Sequence, residues 1–136
     1  MTNEELLEMA IEARKKAYTP YSGFQVGAAL LTKSGKVYLG CNIENASYTP
    51  TNCAERTAFF KAVSEGELEF EKIAVVGGKK GEDLQFCAPC GVCRQVMAEF
   101  CDVDTFQIIL GTSAEDCKVY LLKEILPLHF GSKDLA

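Results

Sequence analysis

The hydrophobic positions of this chain change period several times, and each change marks an element. Over residues 2–17, Leu6, Leu7, Ala10, Ile11 and Ala17 recur at helical spacing, which predicts an amphipathic helix capped by Thr2 or Asn3. Acidic residues come first (Glu4, Glu5, Glu8) and basic ones last (Arg14, Lys15, Lys16), the order that suits a helix dipole, and Pro20 stops the run. Residues 25–32 and 36–43 read as two strands joined by a turn at Ser34-Gly35. A second helix is expected over 53–65, ending at Gly66. The apolar run Ile73-Ala74-Val75-Val76 predicts a strand over 72–77, and the polar, glycine-containing stretch 78–85 a loop. A third helix runs from 89 or 91 to 100, and strands over 106–110 and 118–122 complete the set.

Strands alternating with helices imply right-handed crossovers and a partly parallel sheet covered by helices. No repeat, low-complexity segment or linker interrupts the pattern, so residues 1–136 are expected to form a single domain, long enough to bury a real core.

Composition narrows the class. Hydrophobic residues at 48% and charged residues at 24% fit an ordinary globular protein. No apolar run approaches the roughly 18 residues of a membrane span. The start, Met1-Thr2-Asn3-Glu4-Glu5, is acidic and lacks the layout of a secretory signal, so a cytoplasmic protein with no membrane partner is expected. Seven cysteines would suggest a disulfide framework in a secreted domain; without a signal, metal binding is the better reading. The lone histidine, His129, leaves little room for a Ser-His or Cys-His catalytic pair. A net charge of −5 with no basic stripe argues against a nucleic-acid partner, because phosphate neutralisation supplies much of that affinity.

Two short motifs carry the chemistry. In Pro89-Cys90-Gly91-Val92-Cys93, the spacing puts two thiolates on one face at a helix start. Cys53, in Cys53-Ala54-Glu55, can supply a third, and three protein ligands leave tetrahedral zinc one open position for water. Glu55 is not needed as a ligand; a carboxylate beside such a water is equipped for proton transfer. Helix starts favour thiolates over thiols. Three thiolates on Zn²⁺ leave a net charge of about −1, and Arg56, one turn after Cys53, is placed to compensate by hydrogen-bonding the sulfurs, although an exposed helix arginine explains it too. Cys87 opens an alternative: with Cys53, Cys90 and Cys93 it could form a closed, structural four-thiolate site. Cys41, Cys101 and Cys117 read as buried apolar fillers or inert thiols.

Residues 53–58 (Cys-Ala-Glu-Arg-Thr-Ala) and 89–95 (Pro-Cys-Gly-Val-Cys-Arg-Gln) resemble the cytidine deaminases, in particular the small three-cysteine class that forms homotetramers. The match extends to Pro20-Tyr21-Ser22-Gly23-Phe24-Gln25-Val26-Gly27-Ala28-Ala29 and Gly40-Cys41-Asn42-Ile43-Glu44-Asn45-Ala46. The resemblance implies a three-layer α/β/α fold with a five-stranded mixed sheet, and one zinc per subunit held by Cys53, Cys90 and Cys93. It implies hydrolytic deamination of cytidine and deoxycytidine in pyrimidine salvage, with Glu55 as the proton-transfer residue. Phe24 would pack on the pyrimidine, Asn42 and Glu44 would hold the ribose, Ala54 would bind substrate, and Ala88 would meet the leaving ammonia through its backbone carbonyl. Ala46 and Tyr48 would reach a neighbouring subunit's pocket, and Phe130 another's. Many relatives carry serine where this chain has Ala88. Read on their own, Phe24 is as readily a core residue and Asn42 a strand-end turn residue.

Three rivals share parts of these features: a deaminase acting on a cytosine-bearing antibiotic such as blasticidin S, a polynucleotide deaminase, and a non-enzymatic module built on the four-thiolate site.

Overall fold

In the computed structural model, which describes residues 1–136, the chain follows the predicted order with shifted boundaries. Helix α1 (Asn3–Arg14) begins at Thr2, whose hydroxyl accepts the Glu5 N–H at 3.1 Å. It stops three residues short of Ala17, where the N–H groups of 15–17 bond three residues back, and Arg14 turns inward to the carbonyls of Gln25, Gly78 and Lys79. Strands β1 (Phe24–Thr32) and β2 (Val37–Cys41) form the expected hairpin. The second strand ends at Cys41 rather than residue 43, since Ile43 turns its backbone to Asn52 and Tyr18 instead of continuing the ladder with β1.

Helix α2 (Ala54–Ser64) leads to β3 (Phe70–Lys79), and α3 (Gly91–Phe100) to β4 (Gln107–Ser113) and β5 (Asp116–Leu121). The expected loop at 78–85 therefore starts late: Gly77 and Gly78 stay in β3, paired with Val26 and Gln25. A Cβ on Gly77 would lie 2.8 Å from both Cβ and Sγ of Cys87, so only glycine lets the following loop cross so closely over the strand. A four-residue helix α4 (Leu122–Ile125) and a 3-10 turn (Ser132–Leu135) were not foreseen; both are too short to show a period.

The sheet order is β2-β1-β3-β4-β5, with β3 and β4 parallel and all other neighbours antiparallel. Strand alternation divides the core in two. Ala29, Leu31, Ala74, Val76 and Ile109 pack on Leu6, Leu7 and Ala10 of α1. Ala28, Leu30, Ile73, Val75, Ile108 and Leu110 face Ala58, Phe59 and Ala62 of α2 and Met97 of α3. At the centre of that larger layer Phe59 meets Phe70 edge-on, with ring centroids 5.0 Å apart. Full burial of each such side chain stabilises by about 1.5–3 kcal/mol. This is the expected three-layer α/β/α arrangement around a five-stranded mixed sheet.

One consequence positions the site. Strands β2 and β3 both run antiparallel to β1 between them, so they run parallel to each other. The helices that follow them therefore start at the same end of the sheet.

Candidate active site

Cys53 is the N-cap of α2 and Cys90 the N-cap of α3, and neither sulfur caps the backbone N–H groups of its helix, which leaves both free to face one another. Cys93, one turn into α3, is fully buried. The Sγ atoms of Cys53 and Cys90 are 3.8 Å apart, those of Cys90 and Cys93 3.5 Å, and all three lie within 4.8 Å. Sulfurs sharing a tetrahedral zinc at bonds of ~2.3 Å sit about 3.8 Å apart, so the triangle has the size that ion requires. The donor set fits as well, since two helix N-termini direct partial positive charge at the thiolates.

Cys53 ionises first. The Cys93 thiol, then Arg56 and Cys90, hydrogen-bond its sulfur and bring its pKa down to about 5 against the opposing effect of burial. Cys93 correspondingly holds its proton more tightly, mainly through that same bond to Cys53. Arg56 Nη2 donates to Cys53 Sγ at 3.3 Å, while its Nε is buried without a partner. The guanidinium thus faces the sulfurs rather than solvent.

Glu55, in the first turn of α2, is only 4% exposed. Burial, reinforced by the Cys53 charge, raises its pKa to about 7, so it can both take and give a proton near neutrality. Gly40 makes this placement possible: a Cβ there would fall 2.2 Å from the Ala54 carbonyl oxygen, so a side chain would push the first turn of α2 off β2.

A cavity of about 190 Å³ opens on this group, lined by Val26, Asn42, Thr51, Asn52, Cys53, Ala54, Glu55, Cys87, Ala88 and Cys90. Thr51 also borders a second, more open hollow of about 420 Å³, with Tyr21, Ser22, Glu44, Asn45 and Tyr48. Of the residues expected from sequence, Asn42, Ala54, Glu55 and Ala88 share the first cavity with Cys53 and Cys90, and Glu44 and Tyr48 border the second. Phe24 is not among the residues lining this cavity; its ring edge lies 3.1 Å from where a Gly77 Cβ would be, a point that Cys87 also approaches. Ala46 lies on the exposed loop between β2 and α2 and lines neither opening. Phe130 is exposed and tied to α3 through its carbonyl, which accepts from Gln95 Nε2 at 2.7 Å. Within one chain, neither Ala46 nor Phe130 joins the thiol group.

Cys87 lines the cavity but stands outside the three-sulfur cluster, and burial pushes its pKa up to about 11. The closed four-thiolate arrangement is therefore not formed. Cys41, Cys101 and Cys117 are partly buried, and Cys101 and Cys117 pack against the two core layers from their margins. Sequence reasoning missed Val26, Thr51 and Asn52 as lining residues; they carry no distinctive chemistry, and only the folding of the 42–52 segment beside β1 brings them to the cavity.

A zinc-sized thiol cluster at two helix starts, with a buried carboxylate poised near neutrality, is the equipment of a metal-dependent hydrolase. The model of the cytidine and deoxycytidylate deaminase zinc-binding region matches residues 1–110, and the chain belongs to that family. It is a hydrolytic deaminase with a Cys53–Cys90–Cys93 group able to hold zinc. A cytidine deaminase of Halalkalibacterium halodurans is 52% identical over 135 residues, spanning 99% of this chain and 98% of the relative. The crystal structure of cytidine deaminase from Burkholderia pseudomallei superposes with a TM-score of 0.86 at 50% identity, covering 96% of this chain and all of the other. The blasticidin-S deaminase of Bacillus cereus is more distant, at 29% identity over 130 residues, spanning 93% of this chain and 90% of the relative.

Proposed function

We propose that the whole chain acts as one catalytic domain that hydrolyses cytidine and deoxycytidine to uridine and deoxyuridine with release of ammonia. The observation that carries this reading is the buried Glu55 carboxylate beside three convergent thiols in a cavity that adjoins a polar hollow. Cys53, Cys90 and Cys93 would hold the zinc ion. When bound, that ion supplies Lewis acidity that makes water nucleophilic at neutral pH. Glu55 takes the proton of the attacking water and delivers it to N3 of the cytosine as C4 is attacked. The same carboxylate then takes the proton of the new C4 hydroxyl and gives it to the exocyclic amino group, so that the C4–N bond breaks, ammonia departs and the C4 carbonyl of the uracil forms. A pKa of about 7 suits a group that must be base and acid in one turnover.

Substrate size and charge follow from the lining. Neither opening presents a lysine or arginine, and Glu44 adds a negative charge to the outer one. A 5′-phosphate would meet no cation there, which favours the neutral nucleoside over its nucleotide and over a polynucleotide. Asn42 and Glu44 suit hydroxyl recognition. Exposed Tyr48 and Phe130 support a homotetramer in which neighbouring subunits complete each pocket, and the lack of any helix long and apolar enough to cross a membrane accords with a cytoplasmic role in pyrimidine salvage.

The test is ultraviolet assay of zinc-replete protein with cytidine, cytidine monophosphate and blasticidin S, beside a chelated control. Zinc-dependent conversion of cytidine, with slow turnover of the other two, is expected. Equal turnover of the monophosphate would defeat the nucleoside assignment, and faster turnover of blasticidin S would install the antibiotic reading.

A further inference from the structure

Phe24 is held at its carbonyl by Asn42 and at its N–H by Ser22, which is itself bonded to Glu44. On one side, Asn42 Nδ2 donates to the Phe24 carbonyl at 2.9 Å while Asn42 Oδ1 accepts the Val26 N–H at 2.8 Å. On the other, the Phe24 N–H donates to Ser22 Oγ at 3.0 Å. The Ser22 hydroxyl in turn gives its proton to Glu44 Oε2, and the N–H groups of Tyr21 and Ser22 donate to Glu44 Oε1 at 3.0 and 3.1 Å. A serine hydroxyl has one proton to give. Once it goes to Glu44, the oxygen lone pairs remain for Phe24, so a single atom joins the carboxylate to the aromatic residue.

We propose that Ser22 is a positioning residue that couples the sugar-side carboxylate of Glu44 to the base-side ring of Phe24. The proposal rests on the reading of the site as one for a cytosine nucleoside. Without the hydroxyl, Glu44 Oε2 loses its protein donor and the Phe24 N–H its acceptor, while the Asn42 clamp stays intact. The carboxylate and the ring would then be ordered at the moment of binding instead of beforehand, which weakens substrate affinity more than turnover. The hydrogen bond from Ser22 is also the main reason the Glu44 carboxyl lies below its ordinary pKa, so the ionised form is the one held in place.

The experiment is steady-state kinetics with cytidine on zinc-loaded enzyme, comparing wild type with Ser22→Ala, Ser22→Thr, Glu44→Gln and the Ser22→Ala/Glu44→Gln double variant. Ser22→Ala should raise KM about tenfold, as expected for a lost hydrogen bond to a charged group, with kcat, zinc content and Tm close to wild type. Ser22→Thr keeps the hydroxyl and should keep KM near the wild-type value. With Glu44 already replaced, the Ser22→Ala penalty should shrink to under about threefold, because the coupled partner is gone. A wild-type KM in Ser22→Ala, or an undiminished penalty in the double variant, overturns the coupling. A zinc-loaded wild-type enzyme inert toward cytidine would sink the parent reading instead; wild-type turnover indifferent to Ser22 sinks this proposal alone.

Discussion

The metal-side corner and the sugar-side hollow of this protein are built on different principles. At the corner, Cys53, Glu55 and Arg56 occupy the start of one helix and Cys90 and Cys93 the start of another, so helix geometry alone sets most distances. In the hollow, Tyr21, Ser22, Glu44 and Tyr48 sit on loops, and the order comes from hydrogen bonds between segments about twenty residues apart. Glu55 and Cys93 of the corner are buried, while Cys90 reaches the surface; the hollow is open, with Tyr48 75% exposed. The lesson is that the residues we propose for the chemistry are fixed within short segments, whereas those proposed for substrate recognition depend on how distant segments meet and on a neighbouring subunit.

Three substitutions probe this contrast, beginning with the one expected to cost most. Glu55→Gln keeps shape but cannot move protons, and kcat should fall about 10³–10⁴-fold while zinc content by atomic absorption stays at the wild-type level. A variant that kept substantial turnover would remove Glu55 from the chemistry and erase the distinction between corner and hollow. Arg56→Gln leaves the thiolates under-neutralised, and zinc affinity measured against a chelator should drop about 10–100-fold. An unchanged affinity would mean that the helix dipoles suffice. The smallest effect belongs to Cys87→Ser, which lies in the cavity but outside the cluster: zinc stoichiometry should not change, and deaminase activity should stay close to wild type. Loss of zinc in that variant would return Cys87 to the ligand set and break the three-thiol account.

Both regions were partly legible before folding was known. The corner could be read because Cys-x-x-Cys at a helix start places two sulfurs one turn apart whatever surrounds them. Its choice between three and four thiolates could not, because the position of Cys87 depends on the loop crossing over Gly77. Phe24, Asn42 and Glu44 were identified only through family likeness, and their hydrogen bonds differ from a simple pocket lining: Asn42 is already engaged with β1, and Glu44 with the 21–22 turn. The same holds for β3, whose apolar centre was clear but whose extension through Gly78 and Lys79 reflects pairing with β1.

What the amino-acid order determined by itself was everything carried by local period and spacing: the three long helices, the five strands, and the thiol and carboxylate positions at two helix starts. Tertiary structure alone decided which sulfurs converge, how deeply Glu55 is buried, and how Ser22 joins Glu44 to Phe24. Periodicity follows from the geometry of a few consecutive residues, but burial, pKa and long-range hydrogen bonds depend on which surfaces exclude water together, and that is set only when the layers pack.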